Sequence, residues 1–450
     1  MSKLAHASRT ALNHLADRSL ELELLLTSFL LFVLNLATLI LNSKGNIQWS
    51  DMGAISLFVA LFLLLSFALA VRGWGEDQVL IPIVAVLTGF GLVLTQRLEP
   101  DLVTRYGGIY RGIAHKQMWW IINGILLLTV ISFAPWQLRW FKNYRYSWLV
   151  LGLSLIGMTF FWGSEHNGVR LWLVLGVFQF QPVELLKIFL VIYLTTYLWE
   201  HQGMKCQMVG VTEQHWGLKL PPYPYLLPIL LMWGLTIILI IIQKDLGAAT
   251  LFFTIFLVML YLVTERISYV GIGLIVFFLG AYGLYRIFNH VQVRVDAWYN
   301  PWLDPLGKGY QMAQALYSLA SGGYVGTGLS LGDPTMVPES HTDFALIALG
   351  EEMGLLGTLG VLLCYLLFTL RGYQIALHTN DSFQQLLAVG LTTTIAIQVL
   401  LITAGTTNLV PLTGITLPFV SYGGSSIVAN FVIVGVLLRI SATKKSNRVL

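Results

Sequence analysis

Apolar runs long enough to cross a bilayer core, which takes about 20 residues per helix, recur along the whole chain between short polar stretches. Twelve such runs predict twelve transmembrane helices. They lie near Leu24–Leu41, Ala54–Val71, Val79–Leu94, Met118–Phe133, Ser147–Gly163, Pro182–Trp199, Leu226–Ile242, Leu246–Val263, Ser268–Ile287, Asp343–Leu370, Leu387–Gly405 and Leu417–Leu438. No long soluble insertion separates them, so the pattern predicts an all-α polytopic membrane protein with a single membrane domain over residues 1–450. The longest stretch without a strong apolar run, at about 288–341, falls between spans nine and ten. Segments of this length are usually either functional or disordered. Trp298, Tyr299, Trp302, Tyr310, Tyr317 and Tyr324 supply packing surface here, while Asn300-Pro301 and Asp304-Pro305 supply tight turns. An ordered loop is the expectation.

Composition agrees: 56% of residues are hydrophobic and only 11% charged, against about 25% charged in soluble domains. The apolar surplus must face membrane lipid. A cleavable signal is not expected, because Met1 to Arg18 is polar and the first apolar run is too long for a signal core. Net charge is +4, and no basic block marks a nucleic-acid partner. The two cysteines, Cys206 and Cys364, suggest neither a disulfide nor a metal site. Lys and Arg set the orientation. Arg139, Lys142 and Arg145 share one loop, Lys205 and Lys219 another, and Arg266, Arg371 and the tail Arg439, Lys444, Lys445 and Arg448 fall on the same side. That side reads as cytoplasmic, and with an even span count both termini join it. The loop bearing Arg97, Arg105, Arg111 and Lys116 opposes this bias, since it falls on the outer side.

Charge inside a membrane costs roughly 2.5–3.5 kcal/mol per residue, so each instance carries information. Glu184 and Lys187, in Gln181-Pro-Val-Glu-Leu-Leu-Lys187, are spaced for one helix face. A structural ion pair and a polar patch lining a substrate cavity explain them equally well. The outer ends of several spans collect further polar groups. These are Arg170 and Trp172; Gln243, Lys244 and Asp245; Asp296, Asp304 and Lys308; Glu339, His341 and Asp343; and Thr406, Asn408 and Ser421 to Ser425. Convergence from so many loops suggests one extracytoplasmic site. Each residue also has a plainer role: Asp304 can form a turn before Pro305, Thr342 or Asp343 can cap a helix, and His341 can be an ordinary loop histidine. Glu351 and Glu352 lie about two turns into span ten, too deep to cap it, so at least one requires a buried partner.

At this point the residues resemble a family. Gln181 to Lys187 looks like the Pro-x-Glu-x-x-Lys segment of the shape, elongation, division and sporulation (SEDS) proteins, which include RodA, FtsW and SpoVE, and Arg170-Leu-Trp172 is similar to the segment preceding it. Asn300-Pro-Trp-Leu-Asp-Pro-Leu-Gly-Lys-Gly-Tyr-Gln311 resembles their large extracellular loop. His341-Thr-Asp-Phe344 with Gly350-Glu-Glu-Met-Gly354, and Leu417-Pro-Phe-Val-Ser-Tyr-Gly-Gly-Ser-Ser426, resemble two further signatures. The likeness covers roughly residues 79–440 as a core of ten helices, and leaves residues 1–78 as an extension with two more, as in long RodA-type members. Departures include Lys244 where the family usually has Pro, Leu331-Gly-Asp-Pro-Thr335 in place of a Gly-Thr-Gln stretch, and Ala345-Leu346 in place of Ile-Phe.

The resemblance implies a peptidoglycan glycosyltransferase of elongation or division in the bacterial cytoplasmic membrane. It would polymerise lipid II, a lipid-linked disaccharide-peptide, on the outer face, with inversion and release of undecaprenyl diphosphate. Asp304 matches the catalytic aspartate. Arg170, Lys187 and either Arg294 or Lys308 are candidates for the diphosphate, and Glu184, Asp245, His341, Asp343, Ser421 and Ser425 for the rest of the substrate. A divalent cation, magnesium or manganese, suits the chemistry, although no ligand motif marks a site for it. A class B penicillin-binding protein, a transpeptidase, would be the partner. The alternatives are a flippase for lipid II and a scaffold that only recruits the transpeptidase. An outer-loop carboxylate serves a polymerase and neither alternative.

Overall fold

The computed structural model describes residues 18–44, 49–72, 77–133, 138–166, 169–175, 178–202, 213–215, 218–220 and 223–446. Lys205, Cys206, Arg448 and the polar N-terminus up to Asp17 lie outside the described residues. Each of the twelve apolar runs overlaps a helix. Among the described residues, nine helices are long and apolar enough to cross a membrane, with shorter apolar helices at Ser56–Arg72 and Leu227–Ile242. The twelfth is Arg145–Trp162. The protein is a polytopic helical membrane protein, and its chain packs as two compact units.

The first unit comprises Met1–Ala134, Tyr310–Thr379 and Thr416–Leu450. Its helices are α1 (Ser19–Lys44), α2 (Trp49–Arg72), α3 (Leu80–Tyr106) and α4 (Ile113–Phe133), which precede the second unit in sequence. The N-terminal extension, α1 and α2, therefore packs as part of this unit, with α1 lying along α3. The second unit comprises Pro135–Gly309 and Asn380–Ile415. It begins with the short α5 (Arg139–Asn143) and α6 (Arg145–Trp162). A three-stranded antiparallel sheet follows, β1 (Gly163–His166), β2 (Val169–Leu175) and β3 (Phe178–Phe180), in which Gly163 pairs with Leu173 and Leu173 with Phe180. After α7 (Pro182–Gln202) comes a small hairpin, β4 (Glu213–His215) and β5 (Leu218–Leu220). Then come α8 (Tyr223–Ile242), α9 (Leu246–Thr264), α10 (Ile267–Ile287) and α11 (Asn289–Tyr299). Back in the first unit are α12 (Tyr310–Gly322) and α13 (Ala345–Leu377); α14 (Ser382–Thr406) belongs to the second unit, and α15 (Gly424–Ser446) closes the first.

In the first unit α4 packs along α15, and α12 against α13. A Cβ on Gly91 of α3 would sit 2.6 Å from the carbonyl oxygens of Phe419 and Val420, so glycine permits that backbone approach. The two glutamates of α13 find their partners here. Arg97 Nε donates to Glu352 Oε1 at 2.7 Å, and the same guanidinium reaches Asp101 and the Gly332 carbonyl. Glu351 accepts from the Ser318 hydroxyl and from the Asp333 N–H (2.8 Å), and Arg105 pairs with Asp333 at 2.9 Å. Two of the cations that oppose the charge bias, Arg97 and Arg105, are thus tied to carboxylates of the fold. The helix itself breaks at Gly354 (φ 68°, ψ −170°), a conformation largely restricted to glycine. The segment after α12 fills the break. Thr327 and Gly328 donate to the carbonyls of Glu351 and Glu352, while Leu355 and Leu356 donate to those of Gly323 and Tyr324.

Breaking a buried ion pair by removing one member costs up to about 3–5 kcal/mol, and Arg97, although it keeps Asp101 and the Gly332 carbonyl, would lose its most buried partner. Glu352→Ala should therefore lower the unfolding temperature in detergent markedly, and Arg97→Met combined with Glu352→Leu should lower it less than either single change. Wild-type melting of Glu352→Ala would show that the pair does not brace the helix.

In the second unit α7 packs against α6, α9 and α14. Gly390 of α14 lies against Val191 of α7 and Met259 of α9. Almost none of α10 is buried against the rest of the protein, so its apolar surface is left for lipid. The expected loop at 288–341 is ordered, with α11, α12 and 3-10 turns at Pro301–Leu303 and Pro334–Met336.

Candidate active site

Asp304 follows the turn Pro301–Leu303, whose first amide is satisfied when Trp302 N–H donates to Asn300 Oδ1 at 3.1 Å. The Gly307 and Gly309 N–H groups donate to the Asp304 carbonyl (3.2 and 3.0 Å), and the Lys308 N–H donates to its carboxylate at 3.0 Å. The loop is thereby closed on Asp304 and its carboxylate is left exposed. Tyr299, Trp302, Leu303 and Leu306 around it are exposed as well, so they present apolar surface rather than sealing the carboxylate from water.

On α7, Lys187 is 2% exposed, and its ammonium lies 2.7 Å from Glu184 and 3.1 Å from Gln398 Oε1 of α14. Asp245 caps α9, accepting from the Ala248 N–H at 3.0 Å. Burial pushes its carboxyl upward; the Ala248 N–H and Arg294 oppose this, and Glu184 adds to it. On α11, Arg294 donates to the Thr413 carbonyl at 3.3 Å, and burial together with the charges of Arg294 and Lys244 depresses His290. Arg170 sits on β2, where Glu165 on the paired strand holds its guanidinium at 3.2 Å.

His341, Asp343, Ser421 and Ser425 belong to the first unit. His341 is buried, with its Nε2 4.0 Å from Glu339, its Nδ1 without a hydrogen-bond partner among the described residues, and the Tyr110 and Tyr422 rings beside it. Burial depresses its pKa against the pull of Glu339. Helix α13 starts at Ala345 with Phe344 at its cap position and no side-chain cap, so neither Thr342 nor Asp343 plays the capping role. Ser421 Oγ donates to the Thr342 carbonyl and accepts from the Leu417 N–H at 2.9 Å, while the Tyr422 N–H donates to the His341 carbonyl at 2.8 Å. The two signature segments are thus laced together. Ser425 lies in the first turn of α15. Among the described residues no group of three or more His, Cys, Asp or Glu side chains is placed to hold a metal ion.

The family described as cell cycle protein, FtsW/RodA/SpoVE, matches residues 77–446. The chain belongs to the FtsW/RodA/SpoVE family. Peptidoglycan glycosyltransferase RodA of Mycobacterium tuberculosis (strain H37Rv) is 39% identical over 428 residues, 93% of this chain and 90% of that protein. Probable peptidoglycan glycosyltransferase FtsW of Geobacter sulfurreducens is 31% identical over 379 residues, covering 82% of this chain and 96% of that one. A solved structure described as structural coordination of polymerization and crosslinking by a peptidoglycan synthase complex aligns with a TM-score of 0.66 at 26% identity, over 82% of this chain and 98% of that one. The rod shape determining protein RodA of Thermus thermophilus aligns with a TM-score of 0.56 at 24% identity, again over 82% and 98%, and shares the fold.

Two residues of this FtsW/RodA/SpoVE chain were hidden in the sequence reading of the site. Gln398, a polar residue within an apolar span, carried a signal in its intramembrane position. His290 lies one helical turn before Arg294, a spacing that marks a shared face.

Proposed function

We propose that this protein is a peptidoglycan glycosyltransferase that polymerises lipid II on the outer face of the bacterial cytoplasmic membrane, in elongation or division. The observation that carries the reading is an exposed aspartate, Asp304, fixed in a closed turn of a chain that belongs to the FtsW/RodA/SpoVE family. Asp304 takes the proton of the acceptor hydroxyl as general base, a contribution of about 10²–10⁴-fold. The acceptor oxygen attacks the anomeric carbon, the diphosphate leaves, and configuration inverts. Cations must stabilise the charge that develops on the diphosphate. Arg294, which donates to the Thr413 carbonyl, suits this role, whereas the ammonium of Lys187 is already engaged and braces α7 against α14.

A magnesium or manganese ion would travel with the substrate diphosphate and take one or two carboxylates from the protein, the usual habit of magnesium. The working companion is a class B penicillin-binding protein, a reading supported by the similarity to a synthase complex that couples polymerization and crosslinking. Both termini lie in the cytoplasm. A single cysteine near Lys308 should react with an impermeant thiol reagent in intact cells and one near Lys142 should not; the reverse pattern would overturn this orientation.

The flippase alternative separates cleanly from this one in detergent, where there is no second leaflet. The purified protein should convert lipid II into glycan polymer there. Substrate that stays monomeric in detergent, yet crosses the bilayer of reconstituted vesicles, would favour the flippase.

A further inference from the structure

Between Leu24 and Asn42, α1 gathers its polar side chains along one edge. At about 100° per residue, Thr27, Ser28, Asn35, Thr38 and Asn42 all fall within an arc of about 100°, with Leu31 among them. Phe29, Phe32 and Leu36 form the buried side of the helix, next to this arc. Within the arc, Thr27, Leu31, Thr38 and Asn42 are exposed and Asn35 is half-buried. This stretch belongs to a membrane span, Ser19–Asn42, so most of the exposed arc meets the bilayer rather than water.

The threonines are satisfied within the helix. The Thr27 hydroxyl donates to the Leu24 carbonyl and the Thr38 hydroxyl to the Asn35 carbonyl, both at 2.8 Å. Asn35 is not. Its Nδ2 donates to the Leu31 carbonyl at 2.7 Å, which leaves a second N–H and the side-chain oxygen, and among the described residues that oxygen accepts nothing. Hydrocarbon offers no hydrogen bond to either group. Beside Asn35 a groove opens between α1 and α3, lined by Ser28, Leu31, Asn35, Gly89, Phe90 and Val93. Gly89 contributes no side chain to fill it. In membranes, a polar side chain on a helix face and a groove beside it are the features that bring a second helix into contact.

We propose that this arc of α1 is a self-association surface, and that its occupant is the α1 of a second copy of this chain. The family match starts at residue 77, so α1 lies outside the part that carries the family's shared contacts, whereas every further copy of this chain brings the same arc. The arc is also complementary to itself. A two-fold axis along the membrane normal sets two α1 helices parallel, with each residue of the arc opposite its counterpart. A carboxamide both donates and accepts, so the two Asn35 side chains satisfy each other across the axis. Leu31 of each copy then enters the groove of the other. One asparagine at a helix–helix seam fixes register, here the one that aligns Asn35 with its twin.

The test uses the full-length protein in phosphatidylethanolamine–phosphatidylglycerol vesicles, with Cys206→Ser and Cys364→Ser removing the native thiols. A disulfide needs Cα atoms within about 7 Å of each other, so on oxidation Leu31→Cys and Thr38→Cys should each give a covalent dimer. Leu26→Cys is exposed too, but it lies about 100° outside the arc and should stay monomeric. Energy transfer between donor- and acceptor-labelled copies should show Asn35→Leu raising the dimer Kd by about tenfold, the scale of polar contacts between membrane helices. Asn35→Gln should keep most of the association. Asn35 bonds only to its own helix, so Asn35→Leu should melt as the wild type does. Wild-type association of Asn35→Leu, or a covalent dimer from Leu26→Cys and not from Thr38→Cys, would overturn the proposal. So would photo-crosslinking from the Thr38 position in native membranes that captures a transpeptidase instead of a second copy. None of these readouts involves polymerisation, so their outcome is independent of the glycosyltransferase reading.

Discussion

Asp304→Asn and Asp304→Ala should polymerise nothing measurable, a loss of at least about 10²–10⁴-fold, while folding as the wild type does. A general base must reach to within about 3 Å of the proton it removes, and neither an amide nor a methyl group can take that proton. The fold should tolerate both changes. The turn is closed mainly through the Asp304 carbonyl, which accepts from Gly307 and Gly309, and the carboxylate adds one bond from the Lys308 amide. The side chain is exposed, so no cavity opens. Asp296 is the internal control. It is exposed on α11 outside the closed turn, and Asp296→Asn should keep substantial activity. Melting curves and polymer yield measured on the same preparations separate loss of chemistry from loss of structure. Wild-type polymer from Asp304→Ala would remove Asp304 as the base.

The second large effect concerns the pair on α7. Lys187→Met strands the Glu184 carboxylate and Glu184→Gln strands a buried ammonium, each at a cost of about 3–5 kcal/mol when the partner is fully enclosed. Lys187 is the more enclosed of the two, so Glu184→Gln should be the more damaging. Gln398 softens this loss, because its carbonyl still accepts from Lys187. The double variant should express and melt better than Glu184→Gln alone. If both single changes are silent in melting and in polymerisation, the pair neither holds α7 nor serves the reaction.

Much of this architecture could be read in advance because hydropathy reports length, and length decides whether a helix can span a membrane. What hydropathy does not report is where an apolar stretch leaves the helix. Leu417 to Gly423 reads as the start of a span, yet α15 begins at Gly424. In the preceding backbone the Leu417 N–H donates to the Ser421 hydroxyl and the Tyr422 N–H to the His341 carbonyl, the Ser421 hydroxyl in turn donates to the Thr342 carbonyl, and Phe419 adopts a φ of 66°. Non-helical backbone at such a depth persists only where protein groups satisfy it. The same logic hid the break at Gly354, which depends on carbonyls of Gly323 and Tyr324 that lie about thirty residues earlier in the chain. The glutamates of α13 showed that a buried partner must exist, but Arg97 lies 255 positions from Glu352 and no local pattern identifies it. The strands between α6 and α7 were missed for another reason. Val169 to Leu175 is short and mostly apolar, and pairing with its neighbours is what makes it a strand. Within the candidate site the chemical types were legible, namely a carboxylate in a turn and cations at helix ends. Which cations are already engaged was not, because Lys187 and Arg294 differ only in the partners that packing gives them.

The central claim is inverting glycosyl transfer by this chain, and the most direct measurement follows both products of a single bond-forming event. Purified protein in detergent, supplied with lipid II, should release one undecaprenyl diphosphate for each disaccharide added. Nuclear magnetic resonance of the polymer should show the new glycosidic bond with the opposite anomeric configuration to the donor. Retained configuration would contradict direct attack assisted by Asp304, and unchanged lipid II in the presence of the partner transpeptidase would contradict the activity itself.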